Sequence, residues 1–264
     1  MELNQNRSEF AKLGLGVAAL SYDSVAVLHN FAERKGIAYP LLSDPDSAII
    51  RRVGIFNDTV PRGNFFYGIP WPGVFVLDKD GRVKAKYFEQ DFRQRYSSAD
   101  ILVHLFGFAP GAARADVNGH LAQVTTSASN IAVHSGERIA LVAEVNLRPG
   151  VHVYAPGVEG YIPIDWRLDS SPAYQVHDVE WPPSHILYLK AIDEKVPVYE
   201  GRIRLVRDVT IGGAADGPLT IAGAFRYQAC DDHMCYKPET LPLKWTLTVE
   251  PHDRTRVPPE LQRK

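Results

Sequence analysis

The chain has 264 residues, a formal net charge of −2 at pH 7 and ordinary apolar and charged fractions, which describes a globular protein of one large domain or two ordinary ones. So small a net charge supplies no field to draw it to nucleic acid or acidic lipid, and no run of about eighteen apolar residues is present to span a bilayer. The only two cysteines are Cys230 and Cys235; they are too few for a disulfide framework, which leaves a free, catalytic or metal-binding pair.

The first eight residues are polar and lack the apolar core of a signal peptide. Taken as an authentic start, they place the chain in the cytosol. Residues 1–13 read as a helix with Leu3, Phe10 and Leu13 on one face, ended by Gly14. Residues 15–20 form a short apolar run suited to a buried parallel strand. A helix follows from Ser21 to Gly36, then a second short run over 39–42 and a helix capped by Asp44-Pro45-Asp46. Residues 73–77 and 83–88 read as strands joined by a turn at Lys79-Asp80-Gly81, and 97–106 as a closing helix. Strands alternating with helices and ending in a hairpin predict an α/β layer with a mixed sheet.

Leu15-Gly-Val-Ala-Ala-Leu-Ser21, Leu41-Leu-Ser-Asp44 and Ile69-Pro-Trp-Pro-Gly-Val-Phe-Val-Leu-Asp-Lys-Asp-Gly81 carry a resemblance. Residues 1–106 resemble the peroxiredoxin (alkyl hydroperoxide reductase/thiol-specific antioxidant) branch of the thioredoxin fold. The resemblance implies a cis peptide bond before Pro72, where thioredoxin-fold proteins carry a cis-proline; a trans proline opening a strand is the simpler reading. It also implies a nucleophilic cysteine after a first core strand, at a helix N-terminus that stabilises the thiolate. Residues 1–229 contain no cysteine, so peroxidase activity is not expected of this chain as written. A sheet lacking a central strand would expose an edge, which favours a strand-plus-cysteine segment lost ahead of residue 1 over a non-catalytic remnant. His29 and His104 lie on expected helices as ordinary surface or core residues. Phe65, Phe66, Tyr67 and Trp71 precede Pro72, either lining a site or covering the sheet end.

Residues 107–120 have the small, Gly/Pro-rich composition of a linker. After them come short strands and turns: 131–133, 138–147, 151–154, the alternating Ile164, Trp166 and Leu168, then 176–179, 203–211, 219–227 and 243–249. That texture predicts an antiparallel β-sandwich of immunoglobulin-like type over 121–251, with 252–264 a polar tail. The fold class expected for the whole is therefore two-domain, an incomplete α/β thioredoxin-like domain followed by an all-β immunoglobulin-like sandwich.

Three segments of the second half carry a further resemblance: Leu147-Arg-Pro-Gly-Val-His-Val-Tyr154, Val198-Tyr-Glu-Gly-Arg-Ile203, and Tyr227-Gln-Ala-Cys230 with Cys235-Tyr-Lys-Pro-Glu-Thr240. They resemble the N-terminal periplasmic domain of the thiol:disulfide interchange protein DsbD. The resemblance implies that Cys230 and Cys235 are a redox pair at a hairpin tip, with Cys235 attacking the partner and Cys230 resolving. It implies a thioredoxin-like or membrane redox protein as partner, a cell-envelope setting, and no cofactor. The family has five residues between its cysteines, against four here. Its protective cap loop aligns with 190–196, where Ile192 replaces an aromatic residue. Tyr154, Tyr199 and Tyr227 match family positions, with core packing as their simpler role.

Thiol–disulfide exchange needs an attacking thiolate and a second thiol to resolve the mixed disulfide, and the pair supplies both. Met234 and Tyr236 are placed to cover Cys235. Asp231 and Asp232 oppose a thiolate at Cys230, while a protonated His233 favours one. Two alternatives stay open. Cys230, His233 and Cys235 could bind Cu(I) or Zn, although a structural zinc wants a fourth ligand. The pair could also merely staple the hairpin, although so short a loop gains little from closure. A non-enzymatic interaction module of a redox assembly is the other class of function.

Overall fold

The computed structural model describes residues 2–89, 91, 93–107, 114–190, 193–213 and 216–261. They fall into two compact units, one from 1–101 with 252–264 and one from 102–251. The first unit contains α1 (Glu2–Gln5), α2 (Arg7–Lys12), β1 (Ala19–Ser21), α3 (Val25–Lys35), β2 (Leu41–Ser43), α4 (Ala48–Arg52), β3 (Gly73–Leu77), β4 (Val83–Phe88) and β5 (Arg95–Tyr96). The unit boundary falls within α5 (Ser98–Phe106).

Local chemistry explains the helix limits. Ser24 Oγ accepts from the Val27 N–H at 3.4 Å at the start of α3, and Gly36 ends it in the left-handed region at φ 59°. The single helix expected over 1–13 is instead two short helices parted at Asn6, whose side chain makes no capping bond to the second. The expected mixed sheet is in two pieces: β1 pairs with β2 in parallel and β3 with β4 antiparallel. Among the described residues no ladder joins them.

One further expectation changes. No described peptide bond is cis, so Pro72 is a trans proline immediately before β3, where its missing N–H costs no ladder bond. In the stretch 252–261 Arg34 Nη1 donates to the Arg256 carbonyl at 3.0 Å and Lys35 pairs with Asp253. Of the aromatic residues before Pro72, Phe65 and Phe66 are exposed, and Tyr67 packs edge-on against Phe56.

The second unit is built from strands: β6 (Ala115–Asn118), β7 (Ala122–Ala128), β8 (Ala132–Val133), β9 (Glu137–Leu147), β10 (His152–Tyr154), β11 (Asp165–Leu168), β12 (Tyr174–Glu180), β13 (His185–Leu189), β14 (Glu194–Glu200), β15 (Arg202–Ile211), β16 (Gly217–Tyr227), β17 (Ala229–Cys230) and β18 (Glu239–Val249). Strand β6 lies within the expected linker. Its pairing with β7 is reinforced by Thr125 Oγ1 donating to Asp116 Oδ1 at 2.6 Å and by Thr126 Oγ1 donating to the Ala115 carbonyl at 3.2 Å.

The sheet β12-β15-β9-β7-β6 and the sheet β11-β16-β18-β8 contribute to one core. Strict alternation along β18 points Leu241, Leu243, Trp245, Leu247 and Val249 inward. Trp166 and Trp245 lie 5.7 Å apart in that core, and Trp245 Nε1 donates to the Ser127 carbonyl at 2.9 Å. Strand β9 is buried on both faces because Val103 of α5 packs on Ala140, Val142 and Val206. His104, the next residue, sets Nε2 2.9 Å from Asp208 Oδ1 and Nδ1 3.2 Å from Glu180 Oε2, a structural role for that histidine.

The third sheet, β13-β14-β10-β17, holds Cys230 at the end of β17. One face, with Val153, Tyr199 and Ala229, joins the main core. The other, with Tyr154, Val196, Val198 and Cys230, forms a small separate core.

Candidate functional site

The long β16–β18 hairpin pairs from Gly217↔Val249 to Tyr227↔Glu239. Beyond its end the chain projects residues 228–238. Strand β17 pairs with β10, setting Ala229 opposite Val153 and Cys230 opposite His152. Cys230 and Cys235 are themselves opposed in an antiparallel bridge. The hydrogen bonds flanking them run from Asp231 N to the Met234 carbonyl (3.0 Å) and from Tyr236 N to the Ala229 carbonyl (2.9 Å). The cysteines are thus a non-hydrogen-bonded pair, the position at which opposed side chains come closest. Their Cα atoms are 4.0 Å apart and a disulfide joins the sulfurs.

Asp231 organises the loop between them. Its Oδ1 accepts from the His233 and Met234 N–H groups, both at 2.8 Å, and its Oδ2 accepts from Tyr236 Oη at 2.7 Å. The Tyr236 hydroxyl, with the two backbone donors, holds the Asp231 carboxyl down to about 2. The same bond raises the Tyr236 phenol.

The two sulfurs have different surroundings. Cys230 is 2% exposed in the small core with Tyr154, Val196 and Val198, whereas Cys235 is solvent-exposed. Tyr154 Oη lies 3.8 Å from Cys235 Sγ, and burial raises the Tyr154 phenol. Behind it Tyr161 stacks on Tyr154 with ring centroids 4.3 Å apart and donates its hydroxyl to Glu194. That bond pushes the Tyr161 phenol up to about 12.

Tyr154 is therefore at the sulfurs, beyond its packing role. Tyr199 and Tyr227 are not. Tyr199 donates to the Pro182 carbonyl at 2.8 Å on the main-core side. Tyr227 is buried there too, and donates to Glu239 while accepting from Leu121 N at 3.3 Å; burial, then Glu239, pushes it up to about 12. Met234 and Tyr236 do not cover Cys235: Met234 is exposed, and Tyr236 turns its hydroxyl to Asp231. His233 is exposed. Ile192 lies outside the described residues. Three residues escaped sequence reading: His152, Tyr161 and the turn-forming role of Asp231. His152 was within reach, since period-two alternation puts it on the face of Tyr154. Tyr161 comes from an irregular loop with no periodicity to mark it.

Residues 1–86 match the AhpC/TSA family model, and residues 121–244 match that of thiol:disulfide interchange protein DsbD, N-terminal. A putative peroxiredoxin of Mycobacterium tuberculosis (strain ATCC 25618 / H37Rv) is 30% identical over 82 residues, 31% of this chain and 52% of its own length. Peroxiredoxin Bcp of Xanthomonas campestris pv. campestris is 32% identical over 83 residues, 31% of this chain and 51% of its own. The chain spans about half the length of the curated relatives it matches. Among solved structures, the N-terminal periplasmic domain of ScsB from Proteus mirabilis is 19% identical, covering 50% of this chain and 51% of that one at a TM-score of 0.36. The DsbD N-terminal domain of Neisseria meningitidis in the reduced form is 12% identical, covering 51% and 86% at 0.32. The chain thus joins a region similar to peroxiredoxins to one similar to the DsbD N-terminal domain.

Proposed function

We propose that this chain, a peroxiredoxin-like region followed by a DsbD N-terminal-like one, exchanges its Cys230–Cys235 disulfide with a thioredoxin-like partner. The observation that carries the reading is the unequal burial of the sulfurs, Cys235 exposed and Cys230 2% exposed. In the reducing direction a partner thiolate attacks Cys235 Sγ and the Cys230–Cys235 bond breaks, with Cys230 leaving as the thiolate. The partner's second thiolate then attacks its own bonded sulfur and releases Cys235. Two electrons have moved to this chain and the partner has become a disulfide. The reverse sequence begins with attack by the Cys235 thiolate and ends with resolution by Cys230.

On this reading the fold is a thioredoxin-like region followed by an immunoglobulin-like sandwich, and the thiol steps run on Cys230 and Cys235 in the second unit. Tyr154, with Tyr161 behind it, forms the wall against which a partner's sulfur approaches. The experiment is a redox titration of the purified chain, read by thiol alkylation and mass spectrometry. The reading expects a reversible one-disulfide couple in the range of known exchange proteins. A bond that resists strong reductant in the folded protein, or thiols that never pair, would overturn it.

A further inference from the structure

His152 is 3% exposed, and its Nε2 is buried with no hydrogen-bond partner. A buried polar atom left unpaired costs stability, so its retention asks for an explanation. Its position supplies one. In the β10–β17 ladder His152 is directly opposite Cys230, so the two side chains share a face of the sheet at the separation of cross-strand neighbours. The other walls around Cys230 are Tyr154, Val196 and Val198. A sulfur in such apolar company ionises reluctantly, yet exchange requires Cys230 to be a thiolate each time it attacks or leaves.

Resting on the exchange reading above, we infer that His152 is the proton-exchange partner of Cys230. During resolution the Cys230 thiol gives its proton to the imidazole. The Cys230 thiolate then attacks Cys235 Sγ, the bond from Cys235 to the partner's sulfur breaks, and the partner leaves as its thiolate. In the reverse direction the imidazole takes a proton from solvent and passes it to the Cys230 sulfur as it leaves. Burial lowers the His152 pKa, with His185 on β13 adding to that; Glu200 on β14 and Asp232 and Asp231 in the loop pull the other way. The resting imidazole is accordingly neutral near pH 7, the form that accepts a proton.

The test uses the reduced full chain mixed with glutathione disulfide, quenched in acid and weighed by mass spectrometry. The mixed disulfide on Cys235 should persist roughly 10²-fold longer in His152→Gln than in the wild type near neutral pH, the usual scale of lost general-base assistance. The gap should narrow only as the pH rises past about 8.5, the ordinary thiol value, because burial holds the Cys230 thiol above it. Equal lifetimes at every pH, with the wild type cycling normally, overturn this inference alone. A wild-type chain that neither forms nor resolves the mixed disulfide overturns the exchange reading and this inference with it. A second measurement needs no variant: the His152 ring signal, followed by NMR across pH in the wild type, should change midpoint between the oxidised and reduced protein. An unchanged midpoint overturns the inference.

Discussion

At Cys230 and Cys235 it is burial, more than neighbouring charge, that separates the sulfurs. Asp231, read from sequence as a charge opposing a thiolate, spends its carboxylate on two backbone N–H groups and the Tyr236 hydroxyl. The expected consequence is an asymmetry between single variants. With Cys230→Ser, the exposed Cys235 should form a long-lived mixed disulfide with glutathione. With Cys235→Ser, the remaining buried thiol should alkylate slower by about tenfold or more, as access controls thiol reactivity. Similar iodoacetamide rates for the two variants would contradict the geometry. Asp231 makes a separate prediction in pH. Its folded pKa, about 2, is depressed below the ordinary 3.8. The loop bonds therefore contribute above the ordinary value and are lost as pH falls through about 2. Amide exchange at His233 and Met234 should accelerate across that acid window beyond its intrinsic trend, and Asp231→Asn should flatten the extra response. The cysteine pair was legible from spacing alone. The turn role of Asp231 was not, because an Asx-type turn and a solvated acid look alike in sequence.

The elements that were legible are those whose two faces differ strongly. Strand β18 alternates without a break, and β16 and β9 carry enough large apolar residues to be seen. Strand β7 escaped because its inward positions are Ala122, Val124, Thr126 and Ala128, small or hydroxylated side chains that register weakly in a hydropathy pattern. Strand β14 escaped because Pro197 argues against an interior strand. Its position resolves the conflict: the Pro197 carbonyl accepts from Ala155 N at 2.9 Å just past the end of β10, so the missing N–H faces the frayed end of a ladder. The turn between β6 and β7 locks against the cysteine-bearing hairpin. His120 N donates to Glu239 Oε2 at 2.9 Å, beside the Tyr227–Glu239 bond. Gly119 sits in that turn, and a Cβ there would stand 2.8 Å from Tyr227 Oη, 2.9 Å from Glu239 Oε2 and 3.1 Å from the Ala122 carbonyl. The last is backbone and cannot swing aside. Gly119→Ala should therefore destabilise the second unit by about 1–3 kcal/mol, the usual cost of overpacking, seen as a lower urea midpoint with an unchanged slope. A neutral substitution would mean that this turn is looser than its hydrogen bonds indicate.

At the scale of the whole chain, both cysteines lie in the second unit, and whether they act or merely staple turns on how much that unit depends on their bond. Cys230 and Cys235 are only 5 residues apart, and closing so short a loop stabilises by about 2 kcal/mol at most on the chain-entropy account. The core shared by two sheets is worth far more, with Trp166 and Trp245 both nearly inaccessible at its centre. An exchange site needs that ranking, because the unit has to stay folded in both redox states. Trp71 is the one tryptophan of the first unit, while Trp166, Trp181 and Trp245 lie in the second. Fluorescence of a Trp71→Phe chain therefore reports the second unit's unfolding. Reduction should lower its stability by about 2 kcal/mol or less, leaving a cooperative transition in place. Trp245→Ala should cost about 3–5 kcal/mol in either redox state, because the cavity it leaves is independent of the sulfurs. If reductant alone abolished the transition, the bond would be a staple, and a reduced state that cannot stay folded could not hand electrons to a partner.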